Sequence, residues 1–134
     1  MELDEVMIVA GVGCRKGASA DAVRAAIAAA LDRAGFPADA LDLIATAAAK
    51  GGESGISAAA HALGLPLVLV PQAELESAGA RTVSRSDRVV ALLGVASLAE
   101  AAALAAGGPA ARLVAAKIAV GPATCALAAT GQAP

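Results

Sequence analysis

The fold is decided by the stretch VMIVAGVGCRKGAS at residues 6–19. Its first half, residues 6–12, is a nearly continuous apolar run, which is typical of a strand buried on both faces of a sheet. A glycine-rich loop follows. Ser19 then fits the N-cap of a helix, because its hydroxyl can accept a backbone N–H of the first turn. Helical spacing continues over residues 19–34 until Gly35 ends it. The stretch therefore predicts a strand, a loop and a helix in succession.

The rest of the chain continues this alternation and then departs from it. Further along we predict strands at residues 41–46, 67–70, 113–120 and 124–129 and helices at residues 54–63, 72–77, 86–93 and 97–106. The first strands alternate with helices at short spacing, which favours a mostly parallel sheet. The last two apolar runs are joined by Gly121-Pro122-Ala123, which indicates an antiparallel hairpin. We therefore expect one α/β domain over residues 1–134, with its core at residues 6–130 and a mixed, mostly parallel sheet of about five strands.

Composition places the chain among folded proteins of low charge. Of its 134 residues, 58% are hydrophobic, 16% are charged and 1% are aromatic, and the net charge is −2. Disordered chains are rich in charge and poor in apolar residues, so this composition excludes disorder. The lack of Trp, Tyr and a basic excess argues against nucleic-acid binding.

Membrane and export signals are weak as well. The longest uncharged stretch, residues 54–73, is interrupted by Gly64, Pro66 and Pro71 instead of forming a continuous apolar span. Residues 1–6, three of which are acidic, lack the basic region with which a signal peptide begins. Two cysteines are too few for a disulfide scaffold. We expect a protein of the reducing cytoplasm that contacts no membrane, and a homodimer would cover surplus apolar surface.

The first candidate site is the loop GVGCRKG at residues 11–17. Its glycines allow backbone N–H groups to approach a ligand, the following helix start favours anions, and Arg15 and Lys16 add two cations. The spacing differs from the dinucleotide fingerprint G-x-G-x-x-G, and no acidic residue ends the second predicted strand to bind a ribose. A nucleotide or phosphate site therefore stays open beside the simpler interpretation of a tight turn with solvated charges.

Cys14, in the same loop, is a candidate nucleophile because Arg15 and Lys16 would lower the pKa of its thiol. The single histidine, His61, lies far along the chain in a predicted helix, so a surface or core role is its simpler interpretation. One histidine without a Cys/His cluster argues against a metal site. We expect neither a metal nor a cofactor.

The second candidate site is the segment KGGES at residues 50–54, after the second predicted strand. Parallel strands end at one edge of a sheet, and ligands of open α/β sheets bind there. Lys50 could hold an anion, while Glu53 could act as a base or as the partner of the lysine. The alternative is that Glu53 only stabilises the start of the following helix.

Two further polar positions complete the candidates. Ser84 and Arg85 lie in a hydroxyl-rich loop ahead of a predicted helix. Lys117 interrupts the apolar run 113–120, so it either points to solvent or faces a site, because an unpaired buried lysine is costly. Thr124 is expected across the hairpin from Lys117.

These motifs together resemble a known family. GVGCRKG, Lys50 with Glu53, Ser84 ahead of a helix, Gly94-Val95 with the stretch AEAA at residues 99–102, and Lys117 ahead of Thr124 occur in this order. The ordered set, spanning residues 7–129, is similar to the C-terminal domain of CbiG and its stand-alone relative CobE, a family of cobalamin biosynthesis. The resemblance implies a three-layer α/β/α fold and a role on the corrin pathway. In this family the two-domain CbiG opens the lactone of a cobalt-precorrin and releases acetaldehyde.

The resemblance also implies a ligand, a precorrin or cobalt-precorrin, that carries carboxylates around a flat apolar ring. Cationic side chains are suited to pair with those carboxylates, and an apolar cleft to accept the ring. The implied ligand contacts are Gly13, Cys14, Arg15, Lys16, Lys50, Glu53, Ser84, Lys117 and Thr124, with Arg85 as a further cation.

Two functions on this ligand stay open, beside the nucleotide alternative. The first is a binding protein that assists ring modification and serves other corrin-pathway enzymes. The second is a hydrolase in which Glu53 activates water and Lys50 or Lys117 stabilises the developing oxyanion.

Overall fold

A computed structural model describes the protein over residues 7–79, 81–82 and 97–130. Its helices and strands in chain order are β1 (Ile8–Cys14), α1 (Ala20–Ala34), β2 (Leu41–Ala47), α2 (Ser54–Leu63), β3 (Leu67–Val70), α3 (Gln72–Gly79), α4 (Leu98–Gly107), β4 (Arg112–Val120) and β5 (Ala123–Ala129). Each confirms a predicted element, with bounds shifted by at most two residues. The helix predicted at residues 86–93 lies outside the described residues.

The strands form one sheet in the order β3-β2-β1-β5-β4. β1 pairs in parallel with β2, and β2 with β3, whereas β5 is antiparallel to both β1 and β4. Among these five strands β5 alone is therefore reversed, and β1, β2, β3 and β4 all end at one edge, here called the carboxyl edge. This mixed sheet confirms the expected α/β class.

Helices cover both faces of the sheet. α1 contacts β4, β5 and α2 on one face, and α4 contacts β1, β5, β2 and α3 on the other. Ile8, Ala10 and Val12 of β1 belong to the core under α1 and α2, whereas Val9 belongs to the core under α4. Successive residues of a strand point to opposite faces, so one strand serves both cores. The three-layer α/β/α arrangement is confirmed.

The helix ends follow the local signals in the sequence. The Ser19 hydroxyl accepts the N–H of Ala22 at 3.1 Å, and the Ser97 hydroxyl accepts the N–H of Glu100 at 3.4 Å, so both serines act as N-caps. Gly35 ends α1 with a left-handed φ of 79°. None of the described helices has the length and apolar character that a membrane span requires.

Small side chains bring α4 unusually close to β1. A Cβ placed on Gly11 would lie 1.9 Å from the Ala99 carbonyl oxygen and 2.6 Å from the Ala103 nitrogen. Only a residue without a side chain fits this crossing. The expectation that Gly11 lets a ligand reach the backbone is therefore wrong, because a helix already covers it, and this removes one support of the nucleotide alternative.

Candidate ligand-binding site at the carboxyl edge

The carboxyl edge gathers the loop after β1, the turn after β2 and the β4–β5 turn. The N–H of Arg15 donates to the Pro122 carbonyl at 2.8 Å, which ties the first loop to the β4–β5 turn. Ala48–Lys50 form a 3-10 turn that continues from β2 toward α2. Because parallel strands end together here, segments that are far apart in the sequence lie side by side.

Glu53 joins the two glycine-rich loops. Its Oε1 accepts the backbone N–H of Gly17 at 3.0 Å, across 36 positions of sequence. Glu53 is the N-cap of α2 by its backbone, yet its side chain makes no capping hydrogen bond. Glu53 therefore does more than stabilise the start of its own helix, because its side chain bonds the first loop.

The starts of α1 and α2 also meet at this point. Gly55, in the first turn of α2, lies so close to the chain ahead of α1 that a Cβ on it would be 2.1 Å from the Ala18 carbonyl oxygen. The positive ends of two helix dipoles are thus brought together beside the loops, an arrangement that favours anions.

Cationic side chains surround this junction. Arg15 and Lys16 are exposed, and Lys50 is half-buried. Over residues 7–79, 81–82 and 97–130, no carboxylate forms an ion pair with Lys50, so the suggested Lys50–Glu53 partnership is not observed. Within these ranges, the positive charge of Lys50 is therefore not neutralised by a carboxylate.

Cys14 lies in the first loop, and two charged side chains of the second loop act on its thiol. Burial raises the pKa of its thiol, the Glu53 carboxylate raises it further, and only the Lys50 ammonium acts to lower it. The expectation that Arg15 and Lys16 activate this thiol is therefore wrong in direction, because burial and a nearby anion dominate. His61 is an exposed residue in the last turn of α2, roughly 12 Å along the helix from Glu53, so it does not pair with Cys14.

Gly13 and Thr124 have structural partners of their own. They are paired across the β1–β5 ladder, and the Thr124 hydroxyl donates to the Gly13 carbonyl at 3.2 Å. A Cβ on Gly13 would lie 2.9 Å from that hydroxyl oxygen and 3.5 Å from a Leu98 methyl. Gly13 therefore lies beneath the first turn of α4, covered by Leu98 and Thr124.

Lys117 does not lie opposite Thr124, which pairs with Ala119 instead. The expectation of a Lys117–Thr124 pair across the hairpin is wrong, because the turn at Gly121 and Pro122 pairs Val120 with Ala123 and therefore Ala119 with Thr124. Lys117 is half-buried, and its backbone N–H donates to Oε2 of Glu100 at 2.9 Å. Ser84 and Arg85 lie outside the described residues.

Glu100 is the polar residue of this region that sequence reasoning missed. It is 0% exposed, one of three buried polar residues of the described chain together with Thr46 and Ser97. Ser97 and Glu100 have the spacing of a capping box, which concerns the start of α4 and does not indicate a contact with β4. A carboxylate in the first turn of an otherwise alanine-rich apolar helix was the available signal, since such a group is rarely buried without a partner.

Comparisons with known proteins agree on one family. A family model described as "Cobalamin synthesis G C-terminus" matches residues 8–128. Protein CobE from Sinorhizobium sp is 36% identical over 121 residues, which cover 90% of this chain and 79% of that protein. The crystal structure of CobE, a protein from the cobalamin (vitamin B12) biosynthetic pathway, matches with a TM-score of 0.92 and 33% identity, covering 100% of this chain and 98% of that one.

A second solved structure extends the agreement. Cobalamin biosynthesis protein chiG from Agrobacterium tumefaciens str. C58 is 44% identical with a TM-score of 0.75, over 94% of this chain and 100% of that one. The matched regions thus cover at least 90% of this chain and at least 79% of each of these three relatives. The chain therefore belongs to the CbiG C-terminal family and is a protein of the cobalamin biosynthesis pathway.

Proposed function

We propose that this protein binds a precorrin-type tetrapyrrole, with or without cobalt, by its carboxylates at the carboxyl edge of the sheet. The observation that carries the proposal is the contact between Gly17 and Glu53 at 3.0 Å. It holds two glycine-rich loops side by side and so brings the loops that carry Arg15, Lys16 and Lys50 to one part of the carboxyl edge. A ring that carries several carboxylates matches three separated cations better than a single phosphate does.

Local charge supports the same ligand class. The chain as a whole has a net charge of −2, yet the two loops together carry three cations and one carboxylate. The starts of α1 and α2 add two partial positive charges at the same place. A small polyanion is attracted to such a local patch, whereas a long one would meet the acidic remainder of the surface.

A hydrolase acting on the same ligand is the second candidate. The charges of Glu53 and Lys50 both act on the Cys14 thiol, so the two groups lie around a common point. A carboxylate beside an available ammonium can activate water and stabilise an oxyanion. The Gly17 N–H keeps this carboxylate oriented toward the first loop.

Binding is tested by absorbance-monitored titration of purified precorrins and cobalt-precorrins at two salt concentrations. The matched pair of variants is Arg15→Ala and Arg33→Ala, because each removes one exposed arginine and Arg33 lies in the last turn of α1. We expect Arg15→Ala to weaken binding about fivefold and Lys50→Ala about tenfold, since the half-buried cation is less screened. Arg33→Ala should leave the affinity unchanged. Equal effects of the two arginine variants, or no binding across the panel, would contradict the proposal.

Glu53→Gln separates the binding protein from the hydrolase. The amide oxygen can still accept the Gly17 N–H, so the loops stay joined while the base is lost. Conversion of the bound spectrum by the wild type, abolished in this variant with binding retained, identifies an enzyme. A wild type that binds without any conversion identifies a binding protein.

A further inference from the structure

β4 contains an extra residue beside Lys117. Ala115 pairs with Leu127 and Ile118 pairs with Cys125, so two residues of β4 face a single residue of β5 between these pairs. Such a bulge bends a strand and re-aims its side chains, and bulges are common next to functional sites. The irregularity thus lies at the candidate ligand contact of this strand.

The bulge changes which side chain enters the core. Ala115 is buried in the core under α1, and strict alternation would send Lys117 to the same side. Because of the extra residue, Ile118 instead of Lys117 points to that side and packs against this core. A charged side chain is thereby kept out of an apolar layer where it would have no partner.

Glu100 takes the N–H that the bulge leaves outside the ladder. Its Oε2 accepts the Lys117 N–H at 2.9 Å, and the residue is 0% exposed. Its position is set from two sides, because the Ser97 hydroxyl caps the first turn of α4 and Gly11 brings the helix close to the sheet. A buried N–H outside the ladder is costly unless it is hydrogen-bonded, so this contact is well suited to hold an irregular strand.

We propose that Glu100 is a positioning residue: its buried carboxylate fixes the β4 bulge and so places the Lys117 ammonium to receive a carboxylate of the tetrapyrrole. The inference rests on the proposed function for its ligand. Leu98 in the first turn of α4 also lies against Gly13, so this helix start links Lys117 to the carboxyl end of β1. Glu100 itself does not touch the ligand in this arrangement.

A double-mutant cycle on binding tests the link. Glu100→Asp keeps the charge but withdraws the carboxylate by one methylene, whereas Glu100→Gln keeps an acceptor oxygen at the original reach. We expect Glu100→Asp to weaken binding of the tetrapyrrole about tenfold in the wild-type background and less than about twofold in a Lys117→Ala background, as neighbours in one network behave. Glu100→Gln should stay within about threefold of the wild type, because the hydrogen bond is retained. An equal loss with and without Lys117 would overturn the proposal.

A second readout requires no tetrapyrrole. Acylation of Lys117 by an N-hydroxysuccinimide ester, followed by mass spectrometry, is compared with acylation of Lys50 in the same molecule. We expect the ratio of the two rates to change at least about threefold in Glu100→Asp, since the Lys117 backbone loses its hydrogen-bond acceptor at the original reach. The matched control is Asp42→Ala, which removes another carboxylate bound to a strand N–H, that of Ile8 at 2.8 Å, at the opposite edge of the sheet.

The outcomes distinguish the two proposals. An unchanged acylation ratio in Glu100→Asp, or the same change in Asp42→Ala, overturns the positioning role whatever binds. A wild type that binds none of the tetrapyrroles overturns the proposed function, and the acylation ratio then still decides whether Glu100 places Lys117. Thermal denaturation of each variant verifies that the comparison is made on folded protein.

Discussion

Gly55→Ala perturbs the junction on which the candidate site depends. A Cβ at this position would lie 2.1 Å from the Ala18 carbonyl oxygen and 3.1 Å from the carbonyl carbons of Ala18 and Ser19. All three are backbone atoms, so no flexible side chain can move aside. Ordinary contact begins at 3.4 Å, and the start of α2 must therefore retreat by about 1.3 Å.

Two opposing effects decide the sign of the stability change. Alanine is a better helix former than glycine by about 1 kcal/mol, and it also restricts the unfolded chain. Forcing a methyl group into a filled space costs about 1–3 kcal/mol. Because a contact this short lies at the upper end of that cost, we expect a net loss of about 1–2 kcal/mol, or roughly 4–7 °C in Tm for a chain of this size.

The same retreat should weaken ligand binding. Glu53 begins α2, and its hydrogen bond to the Gly17 N–H at 3.0 Å would be stretched beyond useful length. The two loops would then separate, and the affinity for the tetrapyrrole should fall together with stability.

Urea unfolding followed by far-ultraviolet circular dichroism measures the stability change, since the chain has no Trp or Tyr for fluorescence. The control is Gly52→Ala, because nothing lies within 4 Å of a Cβ at that position and its φ is not left-handed. We expect this variant to be as stable as the wild type or slightly more so. A Gly55→Ala protein as stable as the Gly52→Ala protein would refute the close packing of the two helix starts.

Three further predictions follow from contacts in the structure. Gly11→Ala should cost about 3 kcal/mol in urea unfolding, because its Cβ would meet the Ala99 carbonyl oxygen at 1.9 Å; a loss below about 1 kcal/mol would contradict the contact of α4 with β1. Iodoacetamide at mildly alkaline pH should modify half-buried Cys14 in the native protein and spare buried Cys125. Glu53→Gln should speed the Cys14 reaction by removing an anion that raises its pKa, and equal rates by mass spectrometry would show otherwise. Burial raises the pKa of the Cys125 thiol from 9.0 to about 12, so the unfolding free energy should fall between these pH values by about 1.4 kcal/mol per unit, because the unfolded thiol ionises first. The Cys125 contribution to that slope should disappear in Cys125→Ala, and only the contribution of Cys14 should be left of the two thiols.

The helices and strands could be read from the sequence because their signals are local. Ser19 and Ser97 cap helices within three residues of themselves, and Gly35 and Gly64 end helices by their own backbone freedom. The placement of the two glycine-rich loops at one edge of the sheet was also predictable, since parallel strands end together.

The finer features of the site were not predictable in this way. Gly11 looks like a ligand loop glycine, and only the crossing of α4 shows that it makes room for a helix. Thr124 was expected across the hairpin from Lys117, whereas the turn pairs it with Ala119, and the bulge beside Lys117 is visible only in the ladder. The thiol of Cys14 was expected to be activated by its sequence neighbours, whereas burial and Glu53 outweigh them.

The sequence alone determined where each described helix and strand lies, the fold class, and the family to which the chain belongs. Capping, glycine stops and apolar periodicity act over a few residues, so they are visible without coordinates. The tertiary structure decided that Glu100 meets Lys117, that Glu53 meets Gly17 and that α4 covers Gly11. These contacts depend on the distance and register between whole elements, which the packing of the entire chain sets and no local pattern encodes.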